Sequence, residues 1–258
     1  MTTASLALQD SWTEASRHLR IVPRNIELLL FSTIQPIMFV VLFVYVFGGS
    51  IRVAGYDDYD QFLLPGIFSQ SLVFNSSFTG VGLAEDLQKG LVDRLRSLPM
   101  ARSAVLIGRT VSDLVRNIFT FFVMLGIAFL IGFRFEGSLL GAAMATVLLL
   151  LFSYSLSWVA ALIGLSVKSV EAANSAGFIW MFPLTFVSSA YVDPGTMPNW
   201  LEPIADINPF TKVTNAARAL YNGFDTGNDV WWTLGWSFGL IALFATLATR
   251  KFDRSTSA

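Results

Sequence analysis

The sequence predicts an all-α integral membrane protein with six transmembrane helices. Apolar residues make up 54% of the 258 residues, charged residues make up only 14%, and the mean hydropathy is +0.60. Six long apolar stretches follow one another, each near the ~20 residues that a helix needs to cross a bilayer core. Because a helix satisfies its own backbone in lipid, and the alternation of a membrane β-strand is absent, we expect helical spans.

Residues 1–27 precede the first predicted span and form a cytoplasmic N-terminal segment. Trp12, Ala15, Leu19 and Val22 fall on one stripe of a helix, with charged residues elsewhere around it. This pattern predicts an amphipathic helix that lies in the inner headgroup layer, in contact with membrane lipid. A short, partly disordered tail is the alternative.

The predicted six-helix permease domain occupies residues 28–250, and residues 251–258 form a cytoplasmic tail. No acidic or basic residue lies in the middle of a predicted span, which argues against an ion channel or an ion-coupled carrier. The predicted spans are Leu28–Phe47, Phe62–Leu83, Ser112–Phe133, Ser138–Leu165, Ala172–Tyr191 and Val230–Thr249.

The distribution of basic residues predicts the orientation. With the N-terminus inside, 13 of the 17 lysines and arginines fall on the cytoplasmic side, and only Arg52, Arg134, Lys212 and Arg218 fall outside. Basic residues favour the cytoplasmic side of a membrane protein. We therefore expect a multi-pass protein of the cell (plasma) membrane with both termini in the cytoplasm.

A polar and charged loop, residues 84–109, connects the second and third spans. Leu87, Leu91 and Leu95 recur at i, i+4 spacing, and Pro99 would end the helix that they predict. An amphipathic helix of this kind is suited to docking on a protein outside the bilayer. Lying flat at the headgroups is the alternative, which the mixture of acids and bases makes weaker.

The sequence lacks the residues that would make the chain an enzyme in its own right. It contains no cysteine, no G-x-x-x-x-G-K-[ST] phosphate loop and no His-Glu-x-x-His motif. We therefore expect no catalytic residue, metal or cofactor in this chain, and no nucleic-acid partner. If the protein uses ATP, a separate chain must hydrolyse it.

The second and fifth spans combine aromatic side chains with amides and small hydroxyl groups. Hydroxyl residues in spans often serve helix packing alone, and that interpretation stays open for any single one. Together the residues suit an uncharged or amphipathic passenger. The residues predicted to line its path are Phe68, Phe74, Asn75, Phe78, Phe182 and Phe186.

The outer segment, residues 193–229, is rich in proline. Its later part, Thr211–Tyr221, permits a helix that Gly223 would end. Trp200 and Tyr221 are expected at the depth of the membrane interface. An ordinary outer loop is the alternative interpretation.

Two stretches resemble the membrane subunits of type-2 ATP-binding-cassette exporters, in particular the daunorubicin-resistance permeases. In the inner loop, Glu85, Gly90, Arg94 and Pro99 match the spacing of that family's coupling segment, including the phrase RLRSLPMARSAVLIGR. In the outer segment, the run from Met197 to Gly223 matches the family's Met-Pro-x-Trp-Leu, Asn-Pro and Arg-x-Leu pattern.

The resemblance implies a division of labour between chains. The chain would pair with a second permease copy, as a homodimer or with a close relative, and two copies of an ATP-binding-cassette ATPase subunit would bind beneath the inner loop. Residues 85–99 would be the coupling helix, formed by Glu85, Asp86, Leu87, Lys89, Gly90, Leu91, Arg94, Leu95 and Pro99. The outer segment would be a re-entrant pair of helices that caps the path, marked by Met197, Pro198, Trp200, Asn208, Pro209 and Arg218.

The function expected from this resemblance is that of a permease subunit of an exporter. It would move an amphipathic drug, antibiotic or lipid outward by alternating access, powered by the separate ATPase. A proton-coupled secondary multidrug carrier is the alternative, and it would respond to a proton gradient rather than to ATP. A membrane assembly protein is a further alternative, and it would show no passenger-stimulated ATP hydrolysis.

Overall fold

The structure is a computed structural model that describes residues 26–47, 56, 59–90 and 102–254. Every regular element in these ranges is a helix, so the all-α prediction is confirmed for this part of the chain. The predicted interfacial helix within residues 1–27 lies almost wholly outside it. The helices are α1 (Ile26–Leu42, continued by a π-helical turn at Phe43–Phe47), α2 (Tyr59–Gln88), α3 (Arg102–Ile131), α4 (Leu139–Gly164), α5 (Val170–Phe186), α6 (Glu202–Ile207), α7 (Pro209–Asn222) and α8 (Asp229–Arg254), with a 3₁₀ turn at Pro194–Thr196.

Three of the described helices are long and apolar enough to cross a membrane, over Val105–Ile131 in α3, Leu139–Gly164 in α4 and Asp229–Phe252 in α8. A shorter apolar stretch, Ile34–Val46, covers the end of α1 and its π-helical turn. Helix α2 is long, at 30 residues, but carries many polar residues, and α5 has 17. The membrane-spanning character of α1, α2 and α5 stays a prediction.

Helix α2 lies at the centre of the packing, in contact with α3, α4, α5 and α7. Helices α2 and α4 come closest together at glycine residues, Gly80 of α2 and Gly164 of α4. A Cβ on Gly80 would lie 2.4 Å from the carbonyl oxygen of Ala160, and one on Gly164 would lie 2.3 Å from the carbonyl oxygen of Gly80. Small residues of this kind let two membrane helices bring their backbones into contact.

Helix α7 confirms the helix predicted in the outer segment. Asn208 caps it by accepting a hydrogen bond from the backbone N–H of Phe210. Gly223 ends it in the left-handed conformation, at φ 74°. Tyr221 is fully buried and stacks on the ring of Phe135, and its expected depth at the membrane interface stays a prediction.

Only the start of the predicted coupling helix lies in the described ranges, and it differs from the expectation. Glu85–Gln88 form the last turn of α2, and the chain then turns at Gly90, where φ is +65°. A helix running without a break from Glu85 to Pro99 is therefore wrong, because a left-handed residue ends the helical path. Residues 91–101 lie outside the described ranges.

Charged residues inside α3 correct a second expectation. Asp113 and Arg116 are buried, with side chains 4% and 3% exposed, and they form an ion pair of 3.0 Å. The predicted span began at Ser112, which placed both residues in its first turn. The helix instead begins at Arg102, so both lie well inside it, and the absence of buried charge no longer argues against a coupled carrier.

Candidate functional site

A pocket of about 100 Å³ lies between α1, α2 and α5. Among the described residues, no charged side chain lines it. Five of its ten lining residues are phenylalanines, and amide and hydroxyl groups supply the polar part. Its lining residues are Gln35, Pro36, Phe39, Gln70, Ser71, Phe74, Asn75, Phe178, Phe182 and Phe186.

The aromatic wall joins α2 to α5. The ring of Phe74 lies edge-on to that of Phe182, with centroids 5.5 Å apart, and 5.9 Å from that of Phe178. Phe182 stacks on Phe186 at 5.6 Å. Phe182 and Phe186 are 46% and 51% exposed within the single chain, so their faces remain available to a ligand or a neighbouring chain.

The polar part of the pocket comes mainly from α2. Gln70, Ser71 and Asn75 are all buried. The side-chain Nδ2 of Asn75 is buried without a hydrogen-bond partner in the described part of the chain. A buried amide donor of this kind can take an acceptor from a ligand or from water.

Four of the six residues predicted to line the path lie in this pocket: Phe74, Asn75, Phe182 and Phe186. Phe68 lies outside the pocket, because it faces the core and packs against Phe121. It is therefore removed from the residues that line this pocket. Phe78 is also outside it. The ring of Phe39 and the amide of Gln35, which α1 contributes, were missed, since the first span is mostly apolar and carries few polar residues.

Phe78 lies instead beside the buried charge of α3. The guanidinium carbon of Arg116 is 5.3 Å from the centre of its ring. A cation over an aromatic face is stabilised by the ring quadrupole. Phe78 thus contacts Arg116 rather than the pocket, and its place on the substrate path stays a prediction.

The C-terminal end of α2 carries the described part of the predicted coupling residues. Lys89 Nζ and Glu85 Oε1 form an ion pair of 2.5 Å, and both side chains are at least half exposed. The Glu85 carboxylate raises the pKa of Lys89 by accepting this hydrogen bond. These two residues remain accessible to a partner protein.

Asp86 and Leu87 are engaged within the chain rather than free for a partner. Asp86 Oδ2 lies 3.3 Å from Arg109 Nη1 of α3. Leu87 packs against a buried cluster that includes Leu83 and Leu106. Their assignment to a contact with a partner stays a prediction. Leu91, Arg94, Leu95 and Pro99 lie outside the described residues.

Arg218 fastens the outer segment to the rest of the protein. Its guanidinium donates to the carbonyl oxygens of Phe62 and Ser189, both at 2.8 Å, and to the side-chain oxygen of Asn215 at 3.0 Å. It also lies 3.7 Å from the centre of the Phe62 ring. Burial lowers the pKa of Arg218 to about 10, which leaves it charged at neutral pH. One side chain therefore joins α2, the chain after α5, and α7.

Asn208 makes a second connection of this kind. Its Nδ2 donates to the carbonyl oxygens of Leu184 and Val187, at 2.8 and 2.6 Å, while its Oδ1 caps α7. Pro209 follows as the first residue of α7, where a missing N–H costs nothing. The Asn-Pro pair thus ties the start of α7 to the end of α5.

The remaining outer residues shape the connection between α5 and α6. Met197 ends the 3₁₀ turn, and the carbonyl oxygen of Pro198 accepts the N–H of Leu201 at 2.8 Å. Trp200 is 71% exposed. These residues form a compact turn that leaves one large aromatic side chain uncovered.

Comparison of the sequence with those of known proteins identifies the family of this chain. Residues 11–222 match the family described as "ABC-2 type transporter". The chain is 35% identical over 224 residues, 87% of its own length and 79% of the relative's, to the daunorubicin resistance ABC transporter permease protein DrrB1 of Streptomyces coeruleorubidus. It is 23% identical over 254 residues, 98% and 92% of the two chains, to the probable doxorubicin resistance ABC transporter permease protein DrrC of Mycobacterium tuberculosis. It is also 25% identical over 198 residues, 76% and 52%, to the probable multidrug ABC transporter permease YbhR of Escherichia coli.

Proposed function

This chain belongs to the ABC-2 type transporter family and is the membrane permease of an ABC exporter, and we propose that it moves an amphipathic drug, antibiotic or lipid outward through the pocket between α1, α2 and α5. The names of its relatives include daunorubicin and doxorubicin resistance. A drug of that amphipathic, polycyclic kind is therefore the first passenger to test. The family does not favour the proton-coupled carrier.

The observation that carries the proposal is the composition of the pocket. A flat aromatic passenger gains contact area and ring stacking from Phe74, Phe178 and Phe182, and its polar groups can pair with the amides of Gln70 and Asn75. The described lining residues carry no charge, so a passenger need not carry a matching charge. A strongly charged ion would lose its hydration without compensation.

The size of the pocket supports a second permease copy. Sites for drug-sized ligands usually measure about 300–1,000 Å³, whereas the pocket within one chain is about 100 Å³. Its rings at Phe182 and Phe186 remain half exposed on α5. A homodimer, or a pair with a close relative, would complete the path between two such faces.

We propose the following arrangement in the membrane. Helices α1–α5 and α8 cross the cell membrane, both termini are cytoplasmic, and the segment 193–229 caps the outer end. The distribution of basic residues supports this orientation. With Arg109 and Arg116 set aside because they lie inside α3, 11 of the remaining 15 fall on the cytoplasmic side. Residues 1–27 would lie at the inner surface.

ATP hydrolysis belongs to a separate partner in this arrangement. An ATP-binding-cassette ATPase subunit, in two copies, would bind the loop 84–109. The exposed Glu85–Lys89 pair at the end of α2 supports this contact, since charged residues at an interface set its register. Closure of the ATPases would move the loop and shift the pocket between inward and outward access.

Cysteine labelling tests the pocket directly, because the chain contains no cysteine of its own. We expect Asn75→Cys and Phe182→Cys to react with a membrane-permeant maleimide, and daunorubicin to slow both reactions several-fold. Ile179→Cys is the matched control, since Ile179 lies on the same helix, is 75% exposed and does not line the pocket. Its labelling should not change. Absence of protection at both pocket positions would remove the assignment.

A further inference from the structure

Four charged side chains form a cluster between α2 and α3: Asp86, Arg109, Asp113 and Arg116. Arg109 lies between the two carboxylates, with Nη1 3.3 Å from Asp86 Oδ2 and Nε 3.4 Å from Asp113 Oδ2. Arg116 Nη1 lies 3.0 Å from Asp113 Oδ1. On α3 the three members are spaced four and three residues apart, which places them on one face of the helix.

The cluster leads from the protein surface inward. The side chains of Asp86 and Arg109 are 20% and 16% exposed, whereas those of Asp113 and Arg116 are 4% and 3% exposed. At the inner end, Arg116 Nη2 donates to the backbone carbonyl oxygen of Asn75 at 3.4 Å. Asn75 lines the pocket, so a continuous set of polar contacts joins the base of the loop 84–109 to the pocket wall.

Stability alone does not explain a buried cluster of this kind. Removing two acids and two bases from water costs free energy that their pairing only partly returns, and well-packed apolar residues often serve stability equally well. Arg116 and Asn75, which meet where α3 contacts α2, also carry buried atoms without hydrogen-bond partners in the described ranges, namely Arg116 Nε and Asn75 Nδ2. These atoms can gain hydrogen-bond partners when α2 and α3 shift relative to each other. This favours a helix pair that has two alternative arrangements.

We propose that this α2–α3 charge cluster positions the α2 wall of the pocket in response to movement of the loop 84–109. Arg109 and Arg116 act as positioning residues, because each joins α3 to α2, through Asp86 and through the carbonyl of Asn75 respectively. When the partner ATPase moves the loop, the ion pairs carry the displacement of α3 to Asn75 and Phe74. This inference rests on the proposed function.

The test uses Phe74→Cys as a reporter in the pocket of the native complex, purified with its ATPase. In the parent, a non-hydrolysable ATP analogue should change the rate of N-ethylmaleimide labelling by about fivefold or more, the lower end of typical coupling between sites. In Arg109→Gln the change should fall below about twofold.

Gly82→Ala breaks the cluster without removing a charge. A Cβ on Gly82 would lie 1.6 Å from Arg109 Nη2, so the guanidinium must move away from its partners. Gly126→Ala on α3 is the matched control, because its Cβ would meet nothing within 4 Å. Gly82→Ala should lose the nucleotide-dependent change in labelling, and Gly126→Ala should keep it.

Each outcome decides the proposal. Parental nucleotide response in both Arg109→Gln and Gly82→Ala would overturn it and leave the exporter function intact. Failure of both variants to accumulate in the membrane would also overturn it, since the cluster would then serve folding. No nucleotide response in the parent itself, with an ATPase bound, would count against the proposed function as well.

Discussion

At the scale of single residues, Arg218 shows how one buried cation can hold an irregular segment in place. It has backbone carbonyls and a ring face as its main partners, so it makes directed contacts with three parts of the chain. When a guanidinium is removed, all the carbonyl oxygens that accept hydrogen bonds from it lose those bonds at once. The family pattern Arg-x-Leu pointed to this residue, but sequence placed it on the outer surface among topology-determining charges, because its carbonyl partners lie far away in the chain.

Arg218→Met should therefore lower the free energy of unfolding by about 3 kcal/mol, since it leaves several buried acceptors unpaired. Unfolding in mixed micelles with increasing dodecyl sulfate measures this change. Arg134→Met is the control, because Arg134 also donates to backbone carbonyls but is exposed, and its effect should stay within about 1 kcal/mol. Equal effects of the two substitutions would contradict the role assigned to Arg218.

At the scale of helices, the close approach of α2 and α4 sets the position of the pocket. Gly80, Ala160 and Gly164 bring the two backbones together on one side of α2, and the pocket residues lie elsewhere on the same helix. A larger side chain at this crossing must separate the helices or displace α2 toward α5. Packing of small residues thus holds the helix that carries most of the polar lining.

Gly80→Val should separate α2 from α4 and destabilise the protein by about 2 kcal/mol, the usual cost of overpacking. The midpoint of thermal unfolding in detergent measures it. Gly126→Val provides the comparison, because Gly126 is also helical and an added Cβ meets open space. A midpoint for Gly80→Val no lower than that for Gly126→Val would show that the crossing tolerates bulk.

Sequence reasoning located the helices well because apolar stretches and capping residues are local signals. Gly223 ended the predicted outer helix, and the aromatic and amide residues of the second and fifth spans located two walls of the pocket. It failed where the answer depends on which face of a helix points where. Phe68 and Phe74 have similar sequence surroundings, yet one faces the core and the other the pocket.

The charge cluster shows a second limit. From sequence alone, Arg109 and Arg116 count as cytoplasmic charges that set topology, although their spacing of four and three residues from Asp113 already indicates one shared face of α3. Whether these residues are buried depends on where α3 begins, and helix boundaries are the least reliable part of a prediction from sequence. The same spacing would have suggested intrahelical ion pairs.

At the scale of the whole molecule, the chain belongs to a family of membrane permeases that work with an ATPase. Its sequence has no phosphate loop, and no charged side chain among the described residues lines its pocket. The base of the loop 84–109 offers exposed charges for contact with such an ATPase. We therefore expect the driving force to enter through this loop.

The most direct measurement of this claim is daunorubicin accumulation in sealed proteoliposomes, with the chain reconstituted alone or with the ATPase that co-purifies with it. We predict ATP-dependent accumulation only when both are present, with no effect from collapsing the proton gradient at constant ATP. Uphill accumulation by the chain alone, driven by a proton gradient, would contradict the account.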